Sequence, residues 1–448
     1  MPTDIQVRKL PKDPGPAGWN CLVSNKQHFP ALSQDIEADW VIVGAGFTGI
    51  AAAQRLSQLR PQERIVVLDA GQLAAGPAGR NSGFMIDLPH DLNSETYAGS
   101  KETDQVQIQL NRHAIEFAKA MAKEYQMPQW VFDPCGKVTG ASTDKGARHL
   151  QDYGHHLSVL GEQYTPLDAS AMQDITGLEY YQAGLFTPHA VMIQPASFIH
   201  MAAAGLSHKL EIYENTPVTA ITLGAQHTLV TPKASIKSRR IILAVNGHIQ
   251  SFGFYPKQLL HVFTYASMTR ALTANESRQL KGRPQWGVLP ADPMGTTVRR
   301  VSDFHGSGDR ITVRNRFTLN QSLEVSDDSM AALLHSHDSA FNNRFPMLAK
   351  VPMEFRWGGR LCLSWNSVPA FGEVEERIFS ACCQNGLGTV KGTLSGMLAV
   401  ELAVKQDSIE LQHFMSQAIP KTLPPQPFLQ VGAMANIRWK EWTAGKEL

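Results

Sequence analysis

Two apolar strands that bracket a glycine turn and an alanine-rich helix, followed by long β-rich stretches, predict an α/β chain (α+β overall). The first signal is ADWVIVGAGFTGIAAAQRL from Ala38, where the apolar run 40–43 stops at glycines and RIVVLD at 64–69 supplies the next strand. The second is the β-rich sequence over residues 211–247 and 259–320. The third is RIFSACCQNGLG at 377–388, a strand that runs into a glycine turn, with a helix expected over 390–405. Together they predict a Rossmann-like nucleotide-binding domain interleaved with a β-sheet domain.

Taken in order, residues 1–37 are polar, carry prolines and show no sustained period, so they read as an extended arm lying on the body. Nucleotide-domain signals recur at 38–98, 190–255 and 355–420. The stretches between them, 99–189 and 256–354, are left to build the second domain, and 421–448 forms a tail. Apolar positions at helical spacing predict a helix over 107–125. The tail is proline-rich, then basic and aromatic. Its Trp439 and Trp442, with Arg438 and Lys440, suit either a docked helix or a membrane surface.

The chain has 448 residues, 43% apolar and 18% charged, an ordinary globular balance. A net charge of +1 gives no support for a nucleic-acid partner. Five scattered cysteines without C-x-x-C spacing argue against both a disulfide framework and a metal centre. The start lacks an apolar signal core, and no apolar run is long enough to span a bilayer. A reducing cytoplasm is the expected compartment.

Gly44-x-Gly46-x-x-Gly49 sits between strand and helix, where a dinucleotide fingerprint must sit. The first glycine allows the turn, the second lets backbone approach a pyrophosphate, and the third lets the helix pack on the strand. Asp69 follows Gly49 by twenty residues, at the end of the second strand, placed for ribose hydroxyls. AGPAGRNSG at 75–83 is a second run of small residues. It suits a flavin, whose length exceeds one glycine turn, and equally a surface loop closed by glycines.

These segments resemble the opening of D-amino-acid-oxidase-type flavoproteins, nearest the γ-glutamylputrescine oxidase branch. Four later stretches resemble the family in order: GLFTPHAVMIQP (184–195), RIILAVNG (240–247), WGGRLCLSWNSVPAFG (357–372) and NGLGTVKG (385–392). The resemblance implies non-covalent FAD. Gly44, Ala45, Gly46, Thr48 and Gly49 would cradle the pyrophosphate, and Asp69 with Ala70 would hold the ribose side. Arg80, Asn81, Ser82 and Gly83 would pass beneath the flavin and ribityl chain. Val218, Ala244 and Asn246 would flank the adenosine, and Gly386, Leu387, Gly388 and Thr389 would face the flavin O2 end. Asp69 stands where relatives usually carry glutamate, and Cys362 lies where some relatives attach the cofactor covalently.

The implied reaction oxidises the C–N bond of a primary or secondary amine or amino acid. An imine forms and hydrolyses, and electrons pass to O2 or another acceptor. Candidate catalytic or orienting residues are His261, Tyr265, Arg314 and Trp357, with Arg270 and Arg316 as further cations. Alternate positions of a strand share a face, so Arg314 and Arg316 are expected side by side. Asp87, His90, Asp91 and Lys391 are weaker candidates near the flavin segments. Two rival readings stay open: an NADPH-dependent flavin monooxygenase, and a flavoprotein subunit or maturation factor acting on a protein partner.

Overall fold

The computed structural model describes residues 4–89, 99–302 and 306–448. Two large sheets organise the chain. The first has nine strands around a parallel core, in the order Glu211–Tyr213, Ile65–Leu68, Ile36–Val43, Ser235–Leu243, Ile378–Cys382. Parallel strands covered on both faces read as continuous apolar runs, and IVVL at 65–68 is buried at all four positions. Alternation sorts the two faces. Trp40, Ile42, Ile65, Val67 and Ile242 share one core with the covering helices, and Val41, Val43, Val66, Leu68 and Leu243 share the other.

Strand Ser235–Leu243 forks the sheet. Its first half pairs antiparallel with His227–Val230, and its second half pairs parallel with Ile378–Cys382. Helices Phe47–Leu59 and Val390–Val404 pack closely on one face. The contact is tight because Gly396 has no side chain: a Cβ there would lie 2.1 Å from the Thr48 carbonyl oxygen.

The second sheet has eight strands, in the order Met353–Ser364, Leu259–Thr269, Arg310–Leu319, Thr297–Val301, Trp286–Pro290, Lys137–Ala141, Ala183–Thr187, Thr165–Asp168. Sheet membership differs from the expected domain bounds in two places. Residues 355–364, expected with the nucleotide domain, hydrogen-bond along Leu259–Thr269. Helix Lys101–Glu124, expected with the second domain, packs on Val390–Val404 in the first. Both departures come from pairing partners distant in sequence.

The arm begins as a strand, Asp4–Gln6, on the edge of the first sheet. The tail forms helix Phe428–Ala444, which docks on the second sheet through Ala433, Met434 and Ile437. Trp439 and Trp442 face outward, 57% and 78% exposed. No helix among the described residues is long and apolar enough to cross a membrane.

Candidate functional site

The C-terminal ends of the parallel strands open into a cavity of about 540 Å³ that reaches the second sheet. Its geometry starts with the fingerprint. Gly44 turns the chain at φ +104°, and a Cβ there would lie 2.6 Å from the Ala244 carbonyl oxygen. Gly49 is closed in by the Gly44 carbonyl, whereas a Cβ on Gly46 would meet only Ala78, at 3.5 Å. Gly46 is therefore the position that leaves backbone open to a ligand.

Helix Phe47–Leu59 begins at Gly46 with no side-chain cap, so its first-turn N–H groups and positive dipole end are available to phosphate oxygens. Asp69 is held by two backbone donors, Ala45 N–H and Gly71 N–H, each at 2.9 Å. Burial pushes its carboxyl up to about 6, against those two hydrogen bonds. Ala70, Val218, Ala244 and Asn246 line the same end. The buried Asn246 Oδ1 has no protein partner, as expected of an acceptor waiting for a ligand.

A second uncapped helix meets the cavity opposite. Gly386, Leu387, Gly388 and Thr389 line the wall, and Val390–Val404 starts directly after them. The Thr389 hydroxyl does not cap that helix; it donates to the Phe84 carbonyl at 2.6 Å. A Cβ on Gly388 would meet nothing within 4 Å, so backbone faces open space there. An uncapped helix start can stabilise negative charge on a bound ring system.

Between the two turns runs the 75–83 loop. The buried Arg80 guanidinium is spent on carbonyl oxygens of Ala75, Pro14 and Gly358, at 2.6, 2.8 and 3.2 Å. It therefore anchors the loop. Asn81 braces its own turn, accepting from Gly83 N–H at 2.8 Å. Arg299 holds the loop from beneath, donating to Ser82, Gly83 and Ile193 carbonyls. Nothing local in VRRV marks Arg299 for this role, which arises only when two distant segments meet.

The second-sheet wall corrects several expectations. His261 and Arg314 line the cavity, but Tyr265 and Trp357 do not. The Tyr265 hydroxyl bonds Thr318 at 2.6 Å, in a core cluster with Phe263 and Leu333. Trp357 is buried and donates to the Arg80 carbonyl at 3.1 Å, supporting the loop from behind. Arg314 and Arg316 part company because the pairing with Leu259–Thr269 shifts register at Thr264, leaving Arg316 left-handed at φ +59°. Arg316 then reaches Glu441 of the tail helix at 2.9 Å.

Arg270 pairs with Glu276 through two 2.8 Å bonds, away from the cavity. Asp87 is taken by Arg112, Lys391 is off the cavity wall, and His90 and Asp91 lie outside the described residues. His261 is tied to Gln250 at 2.7 Å, and burial beside Arg360 lowers its imidazole to about 4, so it is neutral. Thr264, Leu289 and Thr297 line the same wall. Thr297 and Arg314 are direct cross-strand partners, so their side chains share a face. The alternation of each strand holds a signal for these residues, but only once the register is known.

These features fit FAD. Two uncapped helix starts, a ribose-facing carboxylate and an unpartnered amide oxygen bound one cavity long enough to connect both sheets. The residues that would hold it are the Gly44–Gly49 turn, Asp69, the 80–83 loop and the 386–389 turn.

Similarity to known proteins agrees. The chain is 23% identical over 400 residues to the probable oxidoreductase OrdL of Haemophilus influenzae, covering 88% of each chain. It is 23% identical over 405 residues to γ-glutamylputrescine oxidoreductase of Escherichia coli, covering 89% of this chain and 90% of that one. In fold it resembles glycine oxidase from Geobacillus kaustophilus, with a TM-score of 0.67 at 19% identity over 87% of this chain and all of that one. L-proline dehydrogenase from P. horikoshii gives 0.64 at 16% identity, over 86% and 97% of the two chains. Residues 39–402 match the family described as FAD dependent oxidoreductase (DAO), and by that match the chain belongs to this family of FAD-binding oxidoreductases.

Proposed function

We propose that the protein oxidises the C–N bond of an amine or amino acid that carries a carboxylate. The carrying observation is Arg314 on the second-sheet wall of the cavity that the fingerprint also opens into. A guanidinium in such a wall can take a carboxylate in a bidentate pair, with Thr297 beside it to donate. FAD, when bound, supplies a two-electron acceptor.

The remaining work is orientation. The substrate loses hydride from carbon and a proton from nitrogen, leaving an imine that water converts to a carbonyl compound and ammonia or amine. His261 is held neutral by burial, so it adds no positive charge to repel a cationic intermediate. Leu289, Ile86 and Leu387 add an apolar stretch to the wall, which favours the uncharged amine over ammonium. Cytoplasmic placement, and passage of the electrons to O2 or another acceptor, belong to the same proposal.

An anaerobic panel of amines and amino acids, scored by loss of visible flavin absorbance, tests this reading. Compounds with a carboxylate should bleach the flavin, and matched alkyl or aryl amines without one should not. Bleaching by NADPH alone, with no response to any amine, would move the assignment to a monooxygenase.

A further inference from the structure

The arm before the family-matching segment is tied to the cofactor cavity and its loop by residues between Asp4 and Trp19. Asp4–Gln6 adds a strand to Ala220–Thr222. Val7 N–H donates to Thr219 O and Arg8 N–H to Ser251 O, both at 2.9 Å. Val7, Lys9, Leu10, Pro11 and Asp13 then form part of the cavity wall. Lys9 reaches Glu324 at 3.0 Å on the far side, and Asp13 pairs with the buried Arg360 at 3.0 Å. Both oxygens of Asp13 lie 3.0 Å from the same Arg360 nitrogen, Oδ2 as hydrogen-bond acceptor and Oδ1 within the ion pair, and its side chain sits on the cavity wall.

Beyond Asp13 the arm fastens the flavin loop itself. The Pro14 carbonyl accepts from Gly358 N–H and from Arg80, at 3.1 and 2.8 Å. Gly15 turns at φ +69° so close to the second sheet that a Cβ would lie 2.2 Å from the Arg356 carbonyl oxygen. Trp19 is fully buried; its indole N–H donates to the Asn81 carbonyl at 2.9 Å, and its own carbonyl accepts from Gln194 at 2.9 Å. Arg299 stacks over its ring. The arm thus joins both sheets and the loop across one face of the cavity.

We infer that residues 4–21 are a clasp on the cofactor site, which must detach before FAD can enter or leave, with Asp13 and Trp19 as the positioning residues that latch it. The anchors differ in strength. Lys9 and Glu324 are each about two-fifths exposed, so that pair contributes little. Asp13–Arg360 and the Trp19 bonds are buried, and breaking one leaves a desolvated group behind.

Two measurements decide it. In the first, trypsin cleavage after Arg8, Lys9 and Lys12 is followed by intact mass in FAD-loaded and FAD-stripped wild-type protein. Stripping should speed cleavage at least tenfold. In the second, FAD-loaded Asp13→Ala is diluted and the rise of free-flavin fluorescence is timed. Release should be at least tenfold faster than wild type, from a starting absorbance spectrum that is unchanged. Equal cleavage rates with and without FAD, or wild-type release from Asp13→Ala, would overturn the clasp. If Asp13→Ala does not fold, the wild-type cleavage comparison decides alone.

Discussion

Gly49 packs so tightly on Gly44 that a Cβ at residue 49 would lie 1.7 Å from the Gly44 carbonyl oxygen. Three positions earlier, a Cβ on Gly46 would make only an ordinary contact with Ala78, at 3.5 Å. The two glycines of one motif therefore do separate work, and substitution should separate them. Gly49→Ala should cost several kcal/mol or abolish folding, because backbone must move. Gly46→Val should give a folded, colourless protein, its methyl groups blocking the phosphate approach. Circular dichroism and the 450 nm absorbance of each variant check both outcomes.

Arg314→Ala should lower kcat/KM for the best carboxylate-bearing substrate by roughly 2–4 kcal/mol, about 30- to 1,000-fold. Arg270→Ala should leave kcat/KM unchanged, since its partner is Glu276 on the surface. Arg316→Ala should lower Tm, because Glu441 is buried and has Arg438 as its other cation. An apolar pocket would instead leave all three variants with wild-type kinetics.

Asp69 gives FAD binding a pH dependence. Its carboxyl titrates at about 6 in the empty site, and only the ionised form offers every lone pair to ribose hydroxyls. FAD affinity should be constant above pH 6 and fall by up to about tenfold per unit below it. Asp69→Asn should bind more weakly at pH 8 and lose that slope. Titrations monitored by flavin fluorescence at pH 5, 6 and 8 give both numbers.

Buried histidines with lowered pKa, four of them shifted far, limit stability in acid. Burial lowers His200 and His261 to about 4 and His248 and His337 to about 3. The unfolded chain binds these protons near pH 6.5 and the folded chain does not, so stability is lost as pH falls from about 6.5 towards 4. Each histidine adds about 1.4 kcal/mol per pH unit to that loss. In the FAD-free protein Asp69 opposes one of the four, because its raised carboxyl stays protonated in the folded state after the unfolded one has ionised. Tm measured from pH 7 to 4.5 should fall steeply, and less steeply after His337→Gln.

Cys362 lines the cavity, but burial beside Cys383 and Cys382 raises its thiol far above the ordinary range. A thiol held protonated is a poor nucleophile. Acid precipitation should therefore leave all the yellow colour in the supernatant, for wild type and Cys362→Ala alike.

The nucleotide half of the site was legible because its signals are local. Gly44, Gly46, Gly49 and Asp69 fall within one strand–turn–helix–strand unit, and the spacing alone restricts what the backbone can do. The substrate half depends on pairing between strands far apart in sequence. Arg314 and Arg316 look equivalent in the alternation of TVRNRF (312–317), and only the register shift opposite Thr264 separates them. Tyr265 lies just past that shift and turns into the core instead of the cavity. Trp19 and Asp13 carry no motif at all, since their meaning comes from carbonyls and a guanidinium supplied by residues 81 and 360.

The scattered origin of the cavity wall also has a cost in biosynthesis. The Gly44–Gly49 turn leaves the ribosome about 337 residues before Gly386, a delay of roughly 20 to 70 seconds at ordinary elongation rates. Once made, strand Ser235–Leu243 waits about 135 further residues for its parallel neighbour Ile378–Cys382, and its hydrophobic edge stands open meanwhile. The nascent chain must shelter that edge from other chains until synthesis is nearly finished, so cofactor capture belongs to the last moments of folding.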